Sequence, residues 1–256
     1  MTFYIKVSVM KGKLVLLTSL LTSFILLFYV ATGVRAENPK EQVGRGPLTK
    51  ITFIHYKKAF AKPPWAGGNN TTAVKCYGFL ARGAKWKIQE PYYVNPTDSG
   101  LSSSFVENAV TTGVGEWENY AGNVFGNGNV DASASYNEGN LDGVNTASFG
   151  SYPDNAVIAV TNVWGYFGGP PQTRELVEWD MLFNNSSEWT WGDGLNDPTL
   201  MDVQNIATHE LGHSFGMADL YDTSCNLETM YGYSTEGETS KRDLNSGDIQ
   251  GIQELY

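Results

Sequence analysis

The sequence predicts an α+β domain, and three observations carry that prediction. Three segments have apolar residues at helical spacing, apolar β-branched runs lie between them, and Gly, Pro and Asn clusters separate the elements. The chain has 256 residues, room for one full-sized domain plus a leader, and 41% are apolar, enough for a packed core. Its net charge of −10 argues against nucleic acid as a partner.

From the N-terminus, Lys6, Lys11 and Lys13 precede an apolar run from Leu14 to Val34, and Val34-Arg35-Ala36 offers a small-residue cleavage site. Residues 1–36 are therefore expected to be a signal peptide or, uncleaved, a membrane anchor, the only membrane contact expected. Either way the domain lies outside the cytoplasm. Residues 37–75 form an N-terminal segment and linker. Within it Thr49 to Lys58 alternates as a strand does, and Pro63 to Asn70 is a linker by composition. His55 stands far from the other histidines in sequence and is expected to be structural. The segment is short for an inhibitory region, a role that the sequence leaves open. Asn69, Asn70, Asn184 and Asn185 head N-x-S/T sequons, which suit surface loops.

Residues 76–256 are expected to form the main domain. Tyr92 to Val94 reads as a short strand closed by Asn95-Pro96. Ser104-x-x-Glu107 reads as a capping box for a helix of about four turns, with Phe105, Val106, Ala109, Val110, Val114 and Trp117 facing a sheet. Gly122 to Gly150 is turn-rich, and Asp131, Asn137, Glu138, Asn140, Asp142 and Asn145 supply oxygens of the kind calcium takes; a plain loop explains them equally well. Val157 to Val163 reads as a buried central strand, and Glu175 to Phe183 as a strand with one wet face. Asp202 is placed to cap a helix that buries Ile206, Leu211 and Phe215. Ser246 is placed to cap a last helix with Ile249, Ile252 and Leu255 inward.

The chemistry concentrates in His209-Glu210-Leu211-Gly212-His213, continued by Gly216 and Asp219. Histidines four apart on a helix share a face and can reach one metal ion, while Glu210 faces the open side as a proton acceptor for water. Gly216 can end the helix in the left-handed conformation, so that the chain returns with a third ligand. A carboxylate is an acceptable zinc ligand, and Asp219 is the candidate; Asp222 is an alternative. An even pair of cysteines in an exported chain favours a Cys76–Cys225 disulfide.

This pattern resembles HExxHxxGxxH of the metzincin zinc proteases at every fixed position but the last, and is similar to the HExxHxxGxxD form of the snapalysin-type members. Glu228-Thr229-Met230-Tyr231-Gly232 resembles the Met-turn, which implies that Met230 forms an apolar floor beneath the metal. Tyr231 or Tyr233 is a further candidate, for hydrogen bonding to a reacting oxyanion. Glu178-Trp179-Asp180-Met181-Leu182-Phe183-Asn184 looks like the matrixin edge strand, which implies that a bound peptide adds there as an antiparallel strand. The entry into the zinc motif and the closing Gly-Ile-Gln-x-Leu-Tyr are also matrixin-like. Val74 to Gly78 does not match the matrixin cysteine-switch motif.

The resemblance covers roughly residues 83–256. It implies a twisted mixed sheet of about five strands, an active-site helix, a second long helix, a C-terminal helix, and zinc in a cleft beneath the edge strand. The function so implied is a secreted, monomeric zinc endopeptidase acting on proteins or peptides, with Glu210 as general base. The alternative is a non-catalytic, zinc-containing surface binding protein, against which an intact Glu210 argues.

Overall fold

A computed structural model describes residues 44–58 and 74–256. The leader, the Pro63–Asn70 linker and the Asn69 and Asn70 sequons lie outside the described residues. Among the described residues no helix is long and apolar enough to cross a membrane.

The strands are β1 (Leu48–Lys57), β2 (Glu90–Asn95), β3 (Phe125–Val130), β4 (Thr146–Gly150), β5 (Val157–Tyr166), β6 (Glu175–Asn184), β7 (Trp191–Gly192), β8 (Met201–Asp202) and β9 (Tyr233–Ser234). The helices are α1 (Ser103–Ala121), α2 (Val203–Phe215) and α3 (Ser246–Leu255). One mixed sheet has the order β3-β2-β4-β6-β5-β1-β9, and β7 and β8 form a separate pair. The sheet exceeds the expected five strands because β1 and the two-residue β9 extend it past β5. Within the turn-rich stretch, β3 was hidden by Gly and Asn, which are depleted in strands, and β4 by its five-residue length directly after the loop.

Helix α1 begins at Ser102, whose side chain accepts from the Phe105 backbone N–H, and not at the expected Ser104. Either serine satisfies the sequence rule; the upstream one has the extended backbone that a cap requires. Val106, Val110, Val114 and Trp117 are buried as expected. Gly113 lets α1 lie against α2, because a Cβ there would sit 2.9 Å from Leu211 Cδ1 and 3.0 Å from Thr208 Oγ1. Trp117 seals the crossing, donating from Nε1 to the Thr208 carbonyl at 2.8 Å. At α3 the cap is Asn245 and not Ser246, with a reciprocal capping box to Asp248.

Strand β6 corrects two expectations. It lies inside the sheet, parallel to β4 and antiparallel to β5, so Glu178 to Phe183 are not on an edge. It also has no wet face. Glu178 and Asp180 are buried beneath the loop that precedes β4: Glu178 accepts from the Asp142 and Gly143 backbone, and Asp180 Oδ2 from the Asn137 N–H at 3.2 Å. Alternating carboxylates read as a solvated face when in fact a loop's donors cover them. Asn184 is fully buried and donates to the Val157 carbonyl at 2.8 Å, so its sequon is not a surface loop.

Candidate metal centre and active site

The site is built on α2. Asp202 caps its N-terminus, accepting from the Asn205 N–H at 2.8 Å, and Gly216 ends it at φ 106° in the left-handed region. The helix thereby presents His209 and His213 one turn apart on one face. The chain that turns back after Gly216 supplies Asp219. All three lie together, with His209 Nε2 3.2 Å and His213 Nε2 3.3 Å from Asp219 Oδ1.

Backbone carbonyls orient both imidazoles. His209 Nδ1 donates to Thr229 O at 2.7 Å, and His213 Nδ1 donates to Met217 O at 3.0 Å. Because a carbonyl only accepts, each proton sits on Nδ1 and each Nε2 presents a lone pair. Asp219 Oδ2 accepts from the Tyr221 hydroxyl at 3.0 Å, which leaves Oδ1 turned to the histidines. His209 Nε2 and Asp219 Oδ1 are buried with no hydrogen-bond partner.

That geometry fits zinc. A tetrahedral ion with bonds of about 2.0–2.1 Å holds its ligand atoms about 3.3 Å apart. Two nitrogens and an oxygen are an ordinary zinc donor set. The electrostatics are consistent. Burial pushes His209 down to about 4, so it is neutral, as a ligand must be. Burial opposes the charge on Asp219, but the two imidazoles outweigh it and hold the carboxyl well below the usual range. For His213 burial also opposes charge, yet the Asp219 carboxylate wins and raises it.

Met230 lies directly under the helix at Gly212, where an added Cβ would stand 2.1 Å from its Sδ. The methionine is fully buried, and its turn is pinned by Met230 N donating to Asp248 Oδ1 at 3.1 Å and Leu220 N donating to Met230 O at 2.8 Å. Cys76 and Cys225 are joined, tying the start of the domain to the chain beneath Asp219. Asp222 is spent on capping the following turn through Ser224 N at 2.9 Å.

Glu210 is fully buried, and burial raises its carboxyl above the usual range. Thr161 on β5 donates to its Oε2 at 2.6 Å. His55 on β1 donates from Nδ1 to its Oε1 at 3.0 Å. His55, far from the motif in sequence, thus meets it in space. Nothing in local sequence signals this, because the contact spans 155 residues and depends on strand pairing. Thr161 was missed for the same reason, whereas Tyr221 is only two residues from Asp219 and meets it through the turn. Among the described residues, the groups of three or more His, Asp or Glu able to hold a metal are His55-His209-Glu210 and His209-His213-Asp219. Neither includes the acidic residues of the loop before β4.

Fold and site together resemble those of a metzincin: an α+β scaffold with two histidines and a carboxylate grouped at one helix so that they could hold a metal. Residues 165–256 match the matrixin family. The chain is 33% identical over 91 residues to human matrix metalloproteinase-16, covering 36% of this chain and 13% of that protein. It is 36% identical over 77 residues to human matrilysin, covering 30% of this chain and 26% of that protein. To cat matrilysin it is 38% identical over 77 residues, 30% of this chain and 27% of that relative. The chain thus spans about a quarter or less of the length of these relatives. Over residues 165–256 the chain is therefore similar to matrixins.

Proposed function

We propose that this domain is an exported zinc-dependent endopeptidase whose metal is held by His209, His213 and Asp219. The observation that carries the reading is the grouping of His209 Nε2 and His213 Nε2 at 3.2 and 3.3 Å from Asp219 Oδ1, with Glu210 on the same helix. Zinc, when bound, polarises a carbonyl and makes a water more acidic. Glu210 accepts the proton of the attacking water and returns it to the leaving amine; its raised carboxyl suits both directions of transfer. Thr161 and His55 each hold one carboxylate oxygen and so fix the orientation of Glu210. Met230 supports the helix from below, and the disulfide fits an oxidising compartment outside the cytoplasm. The substrate is an extended protein or peptide segment. The domain acts as a monomer, with no nucleic-acid partner.

The test is metal content and casein cleavage of wild type, Glu210→Ala and Asp219→Ala. The expected result is one zinc per chain, with activity lost in both variants and zinc weakened only in Asp219→Ala. Full zinc binding by Asp219→Ala, or cleavage by Glu210→Ala, refutes the assignment.

A further inference from the structure

We infer that Lys241 is a positioning residue for Asp219, the third metal ligand. Its buried ammonium grips the chain on either side of Gly232, and Gly232 seats the Tyr221 ring whose hydroxyl turns Asp219 toward the histidines. The inference rests on reading His209, His213 and Asp219 as the metal's ligands. Each histidine here has one nitrogen taken by a carbonyl and one left to present, whereas a carboxylate has two oxygens and can swing or chelate with both. An aspartate in this place therefore needs a partner that occupies its second oxygen.

Tyr221 is that partner, its hydroxyl donating to Asp219 Oδ2 at 3.0 Å. The ring lies so close on the Gly232 backbone that an added Cβ would stand 2.6 Å from its Cε1 and 3.1 Å from its Oη. The Tyr233 ring meets it edge-on, with centroids 5.4 Å apart. Gly232 is tied to the ligand's own turn, its N–H donating to Leu220 O at 2.9 Å. The turn around Gly232 is closed by the Tyr233 N–H donating to Tyr231 O at 2.9 Å.

Lys241 holds that turn in place. Its Nζ donates to Tyr231 O at 2.9 Å and to Tyr233 O, the carbonyls on either side of Gly232. Its backbone N–H donates to Asn205 Oδ1 at 2.8 Å, so the grip is anchored to α2, one turn ahead of His209. The side chain is 1% exposed. Burying an ammonium is costly unless it is paired, and a neutral side chain could fill the same space. Burial lowers Lys241 to about 8 while the Glu238, Asp219 and Glu210 carboxylates oppose it, so the charge is kept at neutral pH. Thr229 and Met230 have a separate anchor in Asp248, which leaves the chain beyond Met230 to Lys241.

The full chain is titrated with zinc against a chromogenic chelator in wild type, Tyr221→Phe, Lys241→Met, the double variant of these two, and Gly232→Ala. Methionine is unbranched and fills the lysine's space, while Gly232→Ala keeps Lys241 and displaces the Tyr221 ring. Each single variant should weaken zinc about tenfold or more, as loss of a ligand's outer partner does. Because Lys241 acts through Tyr221, the double variant should fall no more than about threefold below Tyr221→Phe alone, whereas independent effects would multiply. Multiplied losses in the double variant, or wild-type zinc affinity in Lys241→Met or Gly232→Ala, overturn the inference. Should Lys241→Met not fold, Lys241→Gln, which keeps a donor without the charge or the full reach, takes its place. Should the wild-type chain take up no zinc, the metal reading falls, and exchange of the Leu220 amide, which donates to Met230 O at 2.8 Å, decides the positioning in the metal-free chain. Faster exchange in Lys241→Met sustains it, and wild-type exchange overturns it.

Discussion

Replacing Gly212 by alanine tests the floor of the site without touching a metal-ligating or proton-transferring side chain. The added Cβ would lie 2.1 Å from Met230 Sδ, 3.1 Å from Met230 Cε and 2.6 Å from Trp117 Cζ2. Ordinary contact begins near 3.4 Å, so the Met230 and Trp117 side chains, or the elements that carry them, must give way. Neither neighbour yields easily. Trp117 is held by its bond to Thr208 O, and the backbone of Met230 is pinned to Asp248 and Leu220. Overpacking of this kind costs about 1–3 kcal/mol. The displacement also carries His209 and His213 away from Asp219, and a misplacement of about 1 Å in a reacting constellation costs about a hundredfold in rate. We expect Gly212→Ala to melt earlier without metal and to lose zinc to a competing chelator at lower chelator concentration. Met230→Ala added to Gly212→Ala should restore part of both, with a coupling energy of about 0.5–3 kcal/mol in the double-mutant cycle. Wild-type melting and zinc affinity in Gly212→Ala, or a cycle with no coupling, would refute the role assigned to Met230.

Two further outcomes follow from groups outside the metal centre. Cys76 and Cys225 close a loop across a sequence separation of 149, for which loop-closure entropy gives about 5 kcal/mol, so Cys76→Ser/Cys225→Ser should unfold at markedly lower denaturant concentration in a urea titration. Burial, with the neighbouring Glu178 and Asp142 charges, raises Asp180 to about 8; the folded chain therefore keeps a proton that the unfolded chain has released near its ordinary value of 3.8. Stability from this group is full below about 4 and is lost as pH rises to about 8, so melting temperature should fall across that window in wild type and much less in Asp180→Asn.

The candidate metal centre was legible because its determinants are local. The helical period sets His209 beside His213, Gly216 supplies the turn, and Asp219 follows within reach. The same holds for Asp202 as a cap, for the buried stripe of α1 and for the cysteine pair, which was the only pairing available. What escaped was set by tertiary placement. Thr161 and His55 look like ordinary strand residues until the sheet brings them to Glu210, and Tyr221, two residues from Asp219, meets it only through the conformation of the turn.

The misreading of β6 as an edge has a more general cause. A strand's hydropathy pattern reports what covers its two faces, whereas an edge is a property of its backbone hydrogen bonds. Strand β6 alternates carboxylates with apolar residues and so resembles a half-solvated margin, yet both neighbours are strands and loop donors cover its acids. Strand β5 is apolar on both faces and so resembles a centre, yet the neighbour on its outer side is a strand with one buried residue. On the outer side of β5 lies β1, and the register of that pairing is the feature that the sequence pattern could not supply.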